Sequence, residues 1–425
     1  MSNYVTRSIS RLQGELLGLR PFKRGSRLLV VGSNNSKDRA PFNQTMLALQ
    51  KKGMFKCVPF LAPSGSEAKI DTVDDGVLMA QKTGCEGIVS VGGGSMMDVG
   101  KMISAVLARG GSIYDYVKVK NSNNKSVKGL FDREGGGYGA IVNVSVPTLL
   151  GSGAELSNHA ALLYPAEEKV LMFSNDLLRS DLVVIDKSFI KGVPSDLEAA
   201  VSFSNFARAF DLYTSHNETL LHVDDSRNVD ENDGLDWFAQ SVASLESSNL
   251  SLSAILQNSK DFIDIKHEDR VDIFTNASFQ SAHTLNMSNS GFSISARFAQ
   301  TICGLFSVPY AYVHSATFIP LLKTRLEAAK KSHNHQDLAF LDRVQSVASL
   351  VCGQNCSVDA TDNIDDLINY LDHVQAKLGL KSMKELGFSR TDSELATSLI
   401  FTEKELESIQ ILGRDNILDV IVEEC

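Results

Sequence analysis

The chain has 425 residues, of which 43% are hydrophobic and 22% charged, a composition typical of globular proteins with enough apolar material for two domains. The 41 Lys and Arg against 51 Asp and Glu give a net charge of −10, which does not supply the basic face needed to bind nucleic acids or anionic membranes. No segment resembles a membrane span or a signal peptide, so we expect a cytoplasmic protein with a small-molecule substrate.

Short apolar runs alternate with helical patterns through the first 190 residues, which predicts a doubly wound parallel sheet. The predicted strands lie at 27–31, 55–60, 87–91, 140–146 and 181–185, and the predicted helices at 43–52, 73–83 and 96–106. The strand at 87–91 is apolar on both faces, so we expect it in the centre of the sheet. The polar segment 118–138 is expected to be an exposed loop.

The pattern changes at Pro194, after which strands fade and helical spacing dominates, as at Ile364, Leu367, Leu371 and Leu378. We therefore place a domain boundary there, which divides the chain into residues 1–193 and 194–425.

Two glycine-rich turns follow predicted strands. Gly92, Gly93, Gly94 and Ser95 lie between a strand and a helix, where residues without a Cβ let backbone amides approach a pyrophosphate at the helix N-terminus. The segment 147–155 follows the next strand, and ligands of open α/β sheets bind at the carboxyl ends of strands. The two turns together favour a dinucleotide site, with an ordinary tight turn as the alternative.

Four ordered motifs carry a family resemblance. Gly92 to Ser95 with Asp98 and Lys101 resembles the pattern GGGSxxDxxK, and the segment 146–155 resembles PTTxGTGSE. The segments 192–213 and 304–309 resemble the family's DAxxHAxEAY helix and the residues before its PHG motif. Over about residues 25–325 the sequence thus resembles the iron-containing alcohol dehydrogenases, whose fold is related to that of dehydroquinate synthase.

The resemblance implies an α/β, Rossmann-like nucleotide-binding domain over residues 1–193 and an all-helical domain over residues 194–425. It also implies an active site in the cleft between the domains, where the family holds a divalent metal that acts as a Lewis acid. The family's four ligand positions are occupied here by Ser204, Arg208, Ala296 and Tyr310.

None of these four side chains is a good ligand, because the hydroxyls are weak donors, alanine has no donor atom and arginine keeps its charge. We therefore expect a divergent member without a catalytic metal. Gln300 replaces a further histidine near the nicotinamide. An insertion close to Tyr310 leaves open whether His314 takes its place, although one histidine does not make a metal site.

Two of these residues are the candidates for catalysis. The Arg208 guanidinium can stabilise a developing alkoxide in place of a metal, and Tyr310 can deliver a proton if the adjacent cation lowers the pKa of its phenol. The alternatives are an ion pair of Arg208 with Asp211 or Glu155, and a Tyr310 ring that only fills the vacated space.

The expected cofactor is NADPH or NADH. The family's NAD-preferring members end the first strand with an acidic residue, whereas this chain has Ser33, so a 2′-phosphate is not repelled. Leu149 lies where the family commonly has a threonine near the cofactor. The candidate cofactor-binding residues are Ser33, Gly92, Gly93, Gly94, Ser95, Asp98, Thr148 and Leu149.

Together with these residues, the resemblance implies an NAD(P)-dependent oxidoreductase that reduces a small, possibly anionic, aldehyde or ketone. It also implies a homo-oligomer such as a homodimer, because family members are often dimers or larger. Maleylacetate reductases, which are relatives that work without the metal, support this by analogy. The alternatives are a non-catalytic nucleotide-binding or partner subunit that keeps the fold, and non-redox chemistry of the dehydroquinate synthase kind.

Overall fold

A computed structural model provides the structure of the protein. It describes residues 4–6, 8–19, 22–34, 36–63, 68–117, 141–149, 153–167, 169–190, 193–214, 282, 294–332, 334–352, 360–392 and 394–395. The predicted loop at 118–138 lies outside the described residues.

A six-stranded parallel sheet forms the centre of the N-terminal half. Its strands are β1 (Tyr4–Thr6), β2 (Arg27–Ser33), β3 (Lys56–Ala62), β4 (Gly87–Gly92), β5 (Val142–Pro147) and β8 (Leu182–Val184). The spatial order is β1-β8-β5-β4-β2-β3, so β4 has a neighbour on each side, as its two apolar faces predict. All five predicted strands are present, within two residues of their predicted bounds.

Helices cover both faces of this sheet. They are α1 (Leu12–Gly18), α2 (Ser36–Gln50), α3 (Ile70–Thr83), α4 (Gly94–Arg109) and the single turn α5 (Lys187–Ile190). Alternate residues of β2 serve the two faces: Leu29 and Val31 belong to the core with α3 and α4, and Leu28 and Val30 to the core with α1 and α2. The sequence placed the start of α2 too late, because Pro41 lies inside the helix, near its beginning.

The helices α1 and α5 and three strands of this half were not predicted. The strands β6 (His159–Tyr164) and β7 (Lys169–Ser174) form an antiparallel hairpin outside the main sheet. The three-residue strand β1 pairs in parallel with β8 at the edge of the main sheet. A three-residue strand is too short to show a periodic pattern.

Beyond Pro194, the secondary-structure elements of the described residues are helices. The helices are α6 (Ser195–Thr214), α7 (Ile294–Phe306), α8 (Tyr310–Lys331), α9 (His335–Cys352) and α10 (Ala360–Leu378). Phe203, Phe206 and Phe210 of α6 surround Phe318 of α8, with ring centroids 6.1, 6.3 and 5.4 Å from it. The α/β fold with a helical C-terminal region is thus confirmed.

The chain divides into two compact units. The first comprises residues 1–193 with 304–307, and the second comprises residues 194–303 and 308–425. The predicted domain assignment with an active site in a cleft stays a prediction. None of the helices in the described part of the chain is both long and apolar enough to cross a bilayer.

Candidate functional site

The first candidate site lies at the carboxyl ends of β2, β4 and β5. These three strands are neighbours, with Gly32 opposite Val91 and Gly92 opposite Pro147 in their registers. Ser33, Gly92 and Thr148 therefore lie at one edge of the sheet, as the two glycine-rich turns predict.

The two turns are joined directly, because the Thr148 amide donates a hydrogen bond of 2.9 Å to the Gly92 carbonyl. Gly92 has a φ of 151°, a conformation that side chains with a Cβ rarely adopt. This position therefore requires a glycine, which explains the first residue of the motif.

The start of α4 is open to an anion. Its N-cap residue is Gly93, which has no side chain to cap the first amides, and the first turn contains no acidic residue. A Cβ built on Gly93 meets no heavy atom within 4 Å, so space is open at this point. Unpaired amides at a helix N-terminus favour negative charge, so the turn fits the pyrophosphate of a dinucleotide.

Asp98 and Lys101 have a structural role that sequence reasoning missed. The fully buried Lys101 ammonium lies 2.9 Å from Asp98 and donates to the Ala154 carbonyl at 2.9 Å and to the His159 carbonyl. Asp98 also accepts a hydrogen bond of 3.1 Å from the Ala161 amide. The pair therefore connects α4 to β6 and to the second glycine-rich turn. A direct contact of Asp98 with a cofactor stays a prediction.

The second candidate site lies among α6, α7 and α8. The Arg208 guanidinium carbon lies 5.6 Å from the Tyr310 ring centroid, and the Tyr310 hydroxyl is buried without a geometrically acceptable hydrogen-bond partner among the described residues. Asp211, one candidate partner of Arg208, accepts a hydrogen bond of 2.6 Å from Ser295. The alternative of an ion pair of Arg208 with Asp211 or Glu155 stays a prediction.

The predicted lowering of the Tyr310 pKa is wrong. The Arg208 charge acts in that direction, but burial raises the pKa of the phenol above its ordinary value and is the larger effect. Tyr310 is therefore a protonated phenol at neutral pH, and its hydroxyl can donate a hydrogen bond.

The residue that sequence reasoning undervalued is His314, one helical turn beyond Tyr310. Its ring is fully buried, and its Nδ1 lies 2.8 Å from the Ser204 hydroxyl. Its ring centroid lies 5.1 Å from that of Tyr310. The insertion noted near Tyr310 was the available signal, because it offered His314 as the matching residue.

The residues that the resemblance matches to the family's metal positions do not fit a divalent cation. The Ser204 hydroxyl is hydrogen-bonded to His314, Arg208 brings a permanent positive charge, and Ala296 has no donor atom. Within the described ranges, no three His, Cys, Asp or Glu side chains form a group that could hold a metal.

Comparison with known proteins supports the family. The family model described as iron-containing alcohol dehydrogenase matches residues 9–187. NADH-dependent butanol dehydrogenase B of Clostridium acetobutylicum is 24% identical over 212 residues, which are 49% of this chain and 50% of that protein. Long-chain-alcohol dehydrogenase 1 of Geobacillus thermodenitrificans is 25% identical over 36% of this chain and 35% of that protein. The chain thus spans a third to a half of the length of these relatives.

Solved structures share the fold over nearly the whole chain. A halo-thermophilic archaeal alcohol dehydrogenase from a Red Sea brine pool matches with a TM-score of 0.70 and 16% identity, covering 100% of this chain and 97% of that one. A 1,3-propanediol oxidoreductase matches with a TM-score of 0.68 and 17% identity over the same shares. Residues 9–187 thus match the iron-containing alcohol dehydrogenase family model, and the chain shares the fold of solved alcohol dehydrogenases.

Proposed function

We propose that the protein is an NAD(P)-dependent oxidoreductase that interconverts a small, anionic carbonyl compound and its alcohol without a catalytic metal. The observation that carries this proposal is the direct hydrogen bond between Thr148 and Gly92, which joins two glycine-rich turns beside an open helix N-terminus. Relatives named as dehydrogenases, one of them NADH-dependent, support the same chemistry.

The nicotinamide cofactor supplies or accepts the hydride when it is bound. Gly92, Gly93, Gly94 and Ser95 bind its pyrophosphate through backbone amides, and Thr148 and Leu149 flank the nicotinamide. Because Ser33 at the end of β2 carries no charge to repel a 2′-phosphate, we propose NADPH as the preferred form.

Arg208 binds the substrate in this proposal. Its guanidinium carbon lies 5.6 Å from the centroid of the buried Tyr310 ring, and this cation binds a substrate carboxylate or the oxygen on which negative charge develops. Tyr310 donates a hydrogen bond to the same oxygen, because burial keeps its phenol protonated.

The cofactor site is tested by replacing Gly93 with alanine. Because the added methyl group enters open space, the fold should keep its stability, whereas the affinity for NADPH should fall about tenfold or more through obstruction of the pyrophosphate. The measurement is a titration of nicotinamide fluorescence, with thermal unfolding of the same samples. Gly14→Ala is the matched control, since a Cβ there also meets no atom within 4 Å and the residue lies in α1. Unchanged NADPH affinity in Gly93→Ala would remove this turn from the cofactor site.

The role of Arg208 is tested with two aldehydes that differ in one carboxylate, 4-oxobutanoate and butanal. Arg208→Met should lower kcat/KM about 10²-fold or more for 4-oxobutanoate, because a partly buried cationic partner of the substrate is lost. The loss for butanal should be smaller. Arg390→Met is the control, since Arg390 is an exposed residue that pairs with Glu394. Equal rates for wild type and Arg208→Met would contradict the assignment. Binding of NADPH without turnover of any aldehyde would favour the non-catalytic subunit instead.

Cytoplasmic location and homodimer formation stay predictions from the sequence.

A further inference from the structure

Four polar side chains of the second unit form a continuous hydrogen-bond network. The reaction proposed above does not yet use this network. The Ser204 hydroxyl lies 2.8 Å from His314 Nδ1, and His314 Nε2 lies 3.2 Å from the Ser295 hydroxyl. Ser295 in turn lies 2.6 Å from Asp211 Oδ2. Three helices contribute: Ser204 and Asp211 come from α6, Ser295 from α7 and His314 from α8.

The chemistry of the hydrogen bond between Ser295 and Asp211 determines the donor and the acceptor in each of the other hydrogen bonds of the network. A carboxylate can only accept, so Ser295 donates its proton to Asp211. The Ser295 oxygen then accepts from His314 Nε2–H, since His314 Nε2 lies 3.9 Å from Asp211 and needs Ser295 as a bridge. His314 Nδ1 is therefore unprotonated and accepts from the Ser204 hydroxyl.

Burial supports this assignment. His314 is fully buried, and its burial lowers the pKa of the imidazole against the opposing influence of Asp211. A neutral imidazole donates at one nitrogen and accepts at the other, and the hydrogen-bond network requires both from His314. The Asp211 side chain is 19% exposed, so the hydrogen-bond network leads from a buried hydroxyl to a carboxylate in contact with solvent.

Ser204, the buried end of the hydrogen-bond network, lies beside the proposed substrate site. Ser204 is one helical turn before Arg208 on α6, so the two side chains share a face of that helix. The Ser204 proton points to His314, so the lone pairs of its oxygen remain to accept a proton from a ligand. His314 also lies against Tyr310, with ring centroids 5.1 Å apart.

We propose that Ser204, His314, Ser295 and Asp211 form a proton relay that carries the hydroxyl proton of the alcohol substrate from the buried site to solvent. Ser204 is the residue that touches the substrate, and the other three are positioning residues that act through it. This inference rests on the proposed function, because it assigns the route of the proton that this reaction releases.

The relay balances atom by atom. The alcohol O–H bond breaks as its proton bonds to the Ser204 oxygen, and the former Ser204 proton bonds to His314 Nδ1. The proton of His314 Nε2 moves to Ser295, and the former Ser295 proton ends on Asp211. The electron pair of the broken O–H bond stays on the substrate oxygen and forms the carbonyl as the hydride leaves for the nicotinamide. Reduction runs through the same steps in reverse.

The first test uses the protein without cofactor or substrate. Nitrogen-15 NMR of the histidine side chains, assigned by comparison with His314→Gln, should show His314 protonated at Nε2 and not at Nδ1. Protonation at Nδ1 would reverse the first link and overturn the relay, whatever the activity of the protein.

The second test measures oxidation of 4-hydroxybutyrate and 1-butanol with NADP⁺. Ser204→Ala should lower kcat about 10²-fold, the usual contribution of a positioned proton acceptor, and should change the solvent deuterium isotope effect. Ser204→Thr keeps the hydroxyl and should restore most of the rate. Ser202→Ala is the matched control, because Ser202 is equally buried in α6 but donates to the Glu198 carbonyl of its own helix, at 2.8 Å.

The outcomes separate the relay from the function on which it rests. If the wild type oxidises an alcohol and Ser204→Ala keeps its rate and its isotope effect, the relay is wrong and the proposed function stands. If the folded wild type binds NADP⁺ but oxidises neither alcohol and reduces neither aldehyde, the proposed function and the relay are both overturned.

Discussion

His159, at the start of β6, shows how strongly the surroundings of one residue can affect stability. Burial lowers the pKa of its imidazole from 6.5 to about 4, and the charges of Lys101 and Arg179 act in the same direction. The folded protein therefore holds this side chain neutral at a pH where the unfolded chain binds a proton.

The sign of the resulting pH dependence follows from the lower pKa in the folded state. As the pH falls from 6.5 toward 4, the unfolded state binds more protons, so the free energy of unfolding decreases. At pH 5 we expect a loss of about 2 kcal/mol relative to pH 7 from this group. Denaturant unfolding of wild type and His159→Gln at both pH values measures it, and equal losses in the two proteins would contradict the assignment.

Tyr310 and Arg208 show where sequence reasoning ended at the residue scale. Their identities and helical positions were readable, and so was the poor fit of this residue set to a metal. The direction of the Tyr310 pKa was not, because it depends on the balance between desolvation and a nearby cation, and only the packed structure gives that balance.

At the scale of elements, the contact between α4 and β4 depends on a glycine inside the helix. A Cβ built on Gly100 would lie 1.7 Å from the Ser90 hydroxyl oxygen and 3.0 Å from the Ser90 Cβ. Because Gly100 has no side chain, α4 can lie close to the central strand β4. This close approach also determines where the glycine-rich turn between them lies relative to the sheet.

We therefore expect Gly100→Ala to lower the free energy of unfolding by about 1–3 kcal/mol through overpacking. In a Ser90→Ala background the nearest clashing atom is gone, so the same substitution should cost less, with a coupling of at least about 0.5 kcal/mol. Urea unfolding of the two single variants and the double variant measures this coupling. Additive effects would show that the helix moves away instead.

The hairpin β6–β7 illustrates a limit of element prediction. Its strands carry apolar runs that were not predicted as strands. In the structure, the Asp98 hydrogen bond to the Ala161 amide connects this hairpin to α4. A contact over 63 residues has no local pattern.

At the scale of the whole molecule, the proposal that no catalytic metal is needed predicts how stability responds to ligands. NADPH at 100 times its dissociation constant should raise the free energy of unfolding by about 2.7 kcal/mol, because it binds only the folded protein. Zn²⁺, Fe²⁺ or a chelator should leave the melting temperature unchanged. Calorimetry with metal analysis of the freshly purified protein tests both statements, and stoichiometric iron or zinc would show that the ligand positions were wrongly matched.

The sequence by itself determined the parallel sheet, its central strand, the two glycine-rich turns and the helical character of the second half. These features have local causes: runs of apolar residues, helical spacing and glycines beside strand ends. The family motifs also pointed to Arg208 and Tyr310, whose catalytic roles stay predictions.

Only the tertiary structure decided which polar groups meet. Ser204 and His314 are 110 residues apart, and Ser295 and Asp211 are 84 apart, yet they form one hydrogen-bonded chain. Such contacts arise because three helices pack through their apolar faces and carry these side chains into the interior, where each buried polar group must find a partner. Helical spacing shows which face a residue occupies, but the partner across the interface follows only from how the helices pack.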